Sequence, residues 1–71
     1  MITTLSILIP TYNRDCTNLV HTLKMQADAI PGLHYEVLVA DDASTQSEVK
    51  AANRNIRQWD GCQLVELESN I

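Results

Sequence analysis

Three apolar runs of strand length alternate along this 71-residue chain with two longer segments in which apolar residues recur at helical spacing. The runs are residues 5–10, 35–40 and 62–67, and the segments between them are 16–30 and 45–59. The first two runs are almost continuously apolar, which is typical of strands buried on both faces. A β-α-β-α-β order with short connections predicts parallel strands joined by right-handed helical crossovers. We therefore expect a single small α/β domain.

Local signals mark where the two helices start and stop. Asp15 or Thr17 is a candidate cap for the first helix, because both residue types accept a hydrogen bond from exposed amides. Thr45 and Glu48 have the spacing of a capping box at the start of the second helix, and Asp60-Gly61 ends it. The apolar stripe predicted for the first helix is Cys16, Leu19, Val20, Leu23, Ala27 and Ile30.

Composition excludes several classes of protein. The net charge is −4 and the five basic residues are scattered, whereas a nucleic-acid surface needs clustered cations. Cys16 and Cys62 lack the C-x-x-C spacing of a metal site, so we expect buried, reduced thiols. The first ten residues lack the basic start of a signal peptide, and no run approaches the ~20 apolar residues of a membrane span. A cytoplasmic location is the expectation.

Two polar stretches, residues 10–15 and 41–45, each follow a predicted strand. Ligands of open parallel sheets bind beyond the carboxyl ends of the strands, so both stretches fall on the ligand-binding edge. The chain has only two glycines, which excludes the glycine-rich loops that bind dinucleotides or triphosphates. An aromatic ring at Tyr12 can stack on a nucleobase, and a carboxylate at residues 41–42 can accept an N–H from the edge of that base.

The two stretches carry a pair of short motifs, P-T-Y-N at 10–13 and D-D-A-S at 41–44. Together they resemble the opening of a family 2 inverting glycosyltransferase with the GT-A fold, and E-S-N-I at 68–71 resembles the segment that follows the third strand. The resemblance implies that residues 1–71 are the N-terminal, nucleotide-binding part of such a domain, about its first third. It also implies a three-layer, Rossmann-like half-sheet with parallel strands in the order 3-2-1.

The resemblance also assigns site residues. Tyr12 matches the aromatic residue that lies against the base, typically uracil, and Asp42 matches the carboxylate that bonds the base edge. Two simpler roles stay open: Tyr12 packing over the sheet end, and Asp42 capping the second helix. Asp41 alternatively holds its loop, because adjacent strand residues point in opposite directions. The implied nucleotide-binding residues are Pro10, Thr11, Tyr12, Asp41, Asp42 and Ser44.

The implied reaction is sugar transfer from a nucleotide-diphosphate donor, typically a UDP-sugar, to the hydroxyl of a saccharide or lipid-linked acceptor. In the family a divalent metal, Mn²⁺ or Mg²⁺, is held by a D-x-D motif after the third strand, and a later carboxylate acts as general base. Residues 1–71 contain neither motif. We therefore assign no catalytic or metal-binding residue here and expect the chain alone to be inactive.

Two further interpretations and one structural consequence follow from the sequence. A non-catalytic interaction module remains an alternative, because a fold alone does not fix function. A phospho-acceptor receiver domain also pairs acidic residues, but on its first strand, whereas the pair here follows the second. In the resembled family a fourth strand lies beside the first. The first strand here is therefore expected to form an exposed edge that promotes self-association, with the apolar residues Leu5, Ile7, Leu8 and Ile9.

Overall fold

The protein, described by a computed structural model over residues 4–68, is a three-stranded parallel sheet with two helices. The sheet has the order β1-β2-β3, which is the predicted 3-2-1 order seen from the other edge. The α/β class and the parallel order are therefore confirmed. Residues 69–71 of the E-S-N-I segment lie outside the described residues. The elements are β1 (Thr4–Thr11), α1 (Thr17–Asp28), β2 (His34–Asp41), α2 (Ser47–Arg54), a 3₁₀ turn (Asn55–Gln58) and β3 (Cys62–Glu66).

The register brings the carboxyl ends of all three strands to one edge of the sheet. β1 pairs with β2 from Thr4 opposite His34 to Thr11 opposite Asp41. β2 pairs with β3 up to Asp41 opposite Glu66. The two polar stretches of the sequence therefore leave the sheet from neighbouring strands at the same level.

Both helices pack on one face of the sheet. Val20 of α1 and Ile56 of the 3₁₀ turn are fully buried in the same core cluster, against Val37 and Val39 of β2. On the opposite face Leu8 is 65% exposed. Two right-handed crossovers that step in the same direction along a sheet place their helices on the same side. For this reason residues 4–68 form two layers, and the expected third layer is not found among them.

The cysteines and the first helix follow the sequence pattern in part. Cys16 and Cys62 are both buried and unbonded to each other, as predicted. Thr17, the first residue of α1, donates its backbone N–H and its hydroxyl to Asp15 Oδ1, at 2.9 and 2.6 Å, which lowers the pKa of the Asp15 carboxyl. Leu19 and Ile30 are exposed, so the predicted stripe is too wide. A helix that packs against one small sheet buries only a narrow strip of its own surface, and Leu19 lies outside that strip. Ile30 lies beyond the end of α1.

The second helix starts later than predicted. Gln46 occupies the N-cap position without a side-chain bond, and the capping box of Thr45 and Glu48 is wrong. The backbone N–H groups of Thr45 and Gln46 donate instead to Asn13 Oδ1, at 2.7 and 3.0 Å. A contact from another segment thus replaces the local one. Trp59, after the 3₁₀ turn, packs half-buried against the core, its ring centroid 5.8 Å from that of His21.

We expect β1 to mediate self-association, because within residues 4–68 it pairs with β2 alone and exposes Leu5 and Leu8. Leu8→Lys places a charge in the middle of this edge, which disfavours pairing with another chain. Light scattering at rising protein concentration should show a lower mean mass for Leu8→Lys than for the wild type. Met25→Lys, at a helix residue that is 60% exposed, is the matched control and should leave the mass unchanged. A wild-type chain that stays monomeric at high concentration would contradict this prediction.

Candidate functional site

The candidate site is the carboxyl edge of the sheet, where residues 11–14 follow β1 and residues 41–45 follow β2; we call these two segments the rim. The last bond between their backbones runs from the Asp42 N–H to the Thr11 carbonyl oxygen, at 2.8 Å. Thr11 also pairs with Asp41 in the sheet. Tyr12 and Asp42 are the next residues on each segment, so their backbones leave the sheet side by side. The Tyr12 side chain is 50% exposed, and Asp42 is half-buried.

Asp41 occupies the inner position of the acidic pair. The residue is 1% exposed, and its Oδ1 accepts the Ser44 N–H at 2.9 Å. Its carbonyl oxygen accepts the N–H groups of Ala43 and Leu67, at 3.0 and 2.8 Å. No described residue donates a hydrogen bond to Asp41 Oδ2. These contacts match the alternative role from the sequence, in which Asp41 holds its own loop; direct contact with a nucleotide stays a prediction.

The other predicted site residues divide by burial. Thr11 and Ser44 are buried. The Ser44 hydroxyl bonds to the opposite segment of the rim, whereas the Thr11 hydroxyl bonds within its own segment. Ser44 Oγ accepts the Asn13 N–H at 2.7 Å, and Thr11 Oγ1 donates to the Arg14 carbonyl oxygen at 3.2 Å. Pro10, by contrast, is exposed near the end of β1. The rim thus has an inner set of residues that hold the segments and an outer set that reaches solvent.

Two asparagines, neither of them among the predicted site residues, connect the rim to the helices. Asn13 bonds the residues that lead into α2, as described above, and its Nδ2 donates to Thr45 Oγ1 at 3.2 Å. Asn53 of α2 is fully buried: its Oδ1 accepts the Cys16 N–H at 2.8 Å, and its Nδ2 donates to the Arg14 carbonyl oxygen at 2.9 Å. A signal for Asn53 is present in the sequence, since it lies three residues before the buried Ile56 and therefore on the apolar face.

Positive charge reaches the rim from the β3 side. Arg54 Nε lies 3.1 Å and Arg57 Nη2 lies 3.2 Å from Oε1 of Glu66, which pairs with Asp41 in the sheet. The hydrogen bond from Arg54 lowers the pKa of the Glu66 carboxyl. The same bond, with a smaller effect from the charge of Asp41, raises the pKa of Arg54. Asp41, the first residue of the acidic pair, is therefore close to a cation.

A groove of about 400 Å³ lies at the other end of the sheet, between the start of β2 and the turn before β3. Its polar side chains bond to one another: Lys24 Nζ lies 3.0 Å from Tyr35 Oη, which donates to Asp28 Oδ1 at 2.7 Å. Lys24 Nζ also donates to the Asp60 carbonyl oxygen at 3.0 Å. Because these groups already have partners, the groove is a weaker candidate than the rim.

The family model for "Glycosyl transferase family 2" matches residues 6–70. The chain belongs to glycosyl transferase family 2. The match contains both rim motifs, so the resemblance inferred from them is confirmed at the level of the family. No curated protein and no solved structure matches the chain. Family membership favours a glycosyltransferase over a receiver domain, in agreement with the burial of Asp41, which keeps that carboxylate from an incoming phosphoryl group.

Two further properties of this family 2 chain concern metals and membranes. Among residues 4–68, no group of three or more His, Cys, Asp or Glu side chains is arranged to hold a metal ion. The described residues therefore do not fit the divalent metal that the family implies. None of the helices described is long and apolar enough to cross a membrane.

We expect Ala43→Gly to stabilise the fold, because Ala43 has a φ of +60° in the middle of the rim. A residue with a Cβ loses about 1–2 kcal/mol in this conformation, and the greater freedom of unfolded glycine cancels about 0.5–1 kcal/mol of the gain. The free energy of unfolding in urea should rise by roughly 0.5–1 kcal/mol. Ala51→Gly, at an exposed position inside α2, is the control and should lower it by about 1 kcal/mol. Equal losses for both variants would disprove the strain at residue 43.

Proposed function

We propose that this chain is the nucleotide-binding part of a family 2 glycosyltransferase and that its rim binds the uridine of a UDP-sugar. The observation that carries the proposal is the 2.8 Å bond from the Asp42 N–H to the Thr11 carbonyl oxygen. This bond fixes the start of both rim segments at neighbouring positions. A stacking group and a hydrogen-bonding group must be neighbours to bind the face and the edge of one base.

Tyr12 supplies the stacking group. Its half-exposed side chain offers a ring face to a ligand while the backbone on both sides is fixed, through Thr11 in the sheet and through the Asn13 N–H on Ser44. Stacking of a base on an aromatic side chain contributes about 1–3 kcal/mol. Because the backbone on both sides of Tyr12 is fixed, little backbone entropy is lost on binding, which favours affinity.

Asp42 supplies the hydrogen-bond acceptor. A carboxylate accepts an N–H strongly, and uracil carries one N–H on its pairing edge, whereas cytosine carries an amino group there. Both groups can donate to a carboxylate, so the choice of a uridine donor rests on the resemblance to the family, in which the base is typically uracil. The buried members of the predicted site, Thr11, Asp41 and Ser44, hold the rim in place in this proposal and do not contact the base directly.

The wider reaction follows from the family. The complete reaction transfers the sugar to an acceptor hydroxyl on a saccharide or lipid-linked molecule, with departure of the nucleoside diphosphate. Residues 1–71 contain no D-x-D after β3. We propose that the metal, the general base and the acceptor site belong to sequence outside these residues, and that this chain binds the donor nucleotide without catalysing transfer.

We expect UDP to bind the chain and Tyr12→Ala to weaken that binding about 5- to 150-fold, given about 1–3 kcal/mol for lost stacking. Asp42→Ala should weaken it about 10- to 100-fold, because a hydrogen bond to a charged group contributes about 1.5–3 kcal/mol. Isothermal titration with UDP, in the presence of Mn²⁺, measures both effects. A turnover assay with the isolated chain should show no sugar transfer.

Matched variants separate these effects from general damage. Tyr12→Phe keeps the ring and should bind UDP like the wild type. Asp60→Ala removes an exposed carboxylate beside the groove, away from the rim, and should also bind normally. Equal UDP affinity for Tyr12→Ala and the wild type would contradict the site, and a chain that binds no UDP would favour the interaction-module alternative.

A further inference from the structure

The side chains of Asn13 and Asn53 both form hydrogen bonds between the segment that follows β1 and the segment that contains α2. Asn13 belongs to the first segment and Asn53 to the second. Asn13, on the β1 side, bonds the residues that lead into α2, through Thr45 and Gln46. Asn53, on α2, bonds the residues that lead into α1, through Arg14 and Cys16. Each side chain uses both its carbonyl oxygen and its amide nitrogen. We call this pair of side chains the asparagine clasp.

We propose that the asparagine clasp positions the binding site: it fixes the separation and orientation of Tyr12 relative to Asp42 and so pre-organises the rim for the nucleotide. This inference rests on the proposed function and adds to it two residues that do not contact the ligand. Pre-organised sites bind more tightly because less order has to be imposed when the ligand arrives.

Sequence position supports this role for Asn13. The pair of Tyr12 and Asp42 is fixed on one side by the bond between Thr11 and Asp42, at 2.8 Å. Beyond the pair, the Asn13 N–H is bonded to Ser44 Oγ at 2.7 Å and its side chain is bonded to Thr45. The two rim segments are therefore joined both before and after the residues proposed to bind the base.

The backbone conformation at Asn13 also supports a positioning role for this residue. The residue has a φ of +50°, a conformation that asparagine adopts more readily than other residues with a side chain. Glycine adopts it freely but has no side chain to bond Thr45 and Gln46. Asparagine therefore meets both requirements of the position, the left-handed turn after Tyr12 and the connection to the second segment.

The role of Asn53 follows from its burial. A fully buried amide contributes to a fold only when its polar atoms are bonded, and Asn53 bonds the Cys16 N–H and the Arg14 carbonyl oxygen. Arg14 also accepts the Thr11 hydroxyl, so its carbonyl oxygen joins the end of β1 to α2. This contact fixes the path by which the first rim segment returns to α1.

Asn13→Gly is the direct test, because it keeps the left-handed turn and removes the side-chain bonds. UDP affinity, measured by titration at a temperature where all variants are folded, should fall about tenfold, which equals about 1.4 kcal/mol. Asn13→Asp retains the oxygen that accepts the Thr45 and Gln46 amides and should restore most of the binding. Uridine is the probe for that variant, because it has no phosphate charge to be repelled by the new carboxylate.

Core variants distinguish positioning from loss of stability. Ile56→Val removes a buried methyl group and lowers stability modestly without touching the rim. UDP affinity should stay at the wild-type value for Ile56→Val and fall for Asn13→Gly, even where urea unfolding shows equal losses of stability. Asn53→Ala should weaken UDP binding as well, whereas Asn55→Ala, at an exposed asparagine next to α2, should not.

The outcomes separate this inference from the proposed function. UDP binding by the wild type together with unchanged affinity in Asn13→Gly would overturn the clasp and leave the proposed function standing. Parallel losses of affinity in Ile56→Val and Asn13→Gly would also overturn it, since stability alone would then explain both. A wild-type chain that does not bind UDP would overturn the proposed function and this inference with it.

Discussion

The parallel pairing of β1 with β2 is the constraint on which the rest of this structure depends. The two strands end together, with Thr11 opposite Asp41 and a final bond from the Asp42 N–H to the Thr11 carbonyl oxygen. A shift of one residue in this register would turn every side chain of β1 to the other face of the sheet. The burial of Ile7 and Ile9 on the helix side therefore also fixes where Tyr12 leaves the sheet. Core packing and site geometry have the same cause.

The rim is held by polar side chains that a small domain buries at a cost. This chain of 71 residues buries the polar side chains of Asp41, Ser44 and Asn53. A buried polar group without a hydrogen bond destabilises a fold. Four of the five polar atoms in these side chains bond to backbone groups, three of these in the rim and one at Cys16. The left-handed conformations at Asn13 and Ala43 add local strain. Strain and buried polar atoms concentrated at one end of the sheet set that end apart from the ordinary apolar core.

The sequence predicted the parts of the fold that depend on local pattern. Apolar runs of strand length identified three strands, and the order of elements indicated a parallel sheet with both polar stretches on one edge. Local pattern failed where a distant residue competes with it: Thr45 and Glu48 have the spacing of a capping box, yet Asn13 takes the amides that precede α2. Asn53 could be found only as a polar residue on an apolar face, because its bonding partners lie more than thirty residues away.

Burial explains why two carboxylates stand next to each other without acting as one group. Asp41 ends β2 on the helix side, where the Ser44 N–H and the charge of Arg54 stabilise it, and Asp42 lies one residue further at the surface of the rim. Asp41 is 1% exposed and Asp42 is half-buried, so the two carboxylates meet different surroundings. This difference in burial separates the roles of the two carboxylates in the proposed site. The inner carboxylate instead orders the loop that presents the outer one, which makes Asp41 as necessary to the proposed site as Asp42, although only Asp42 would contact the base.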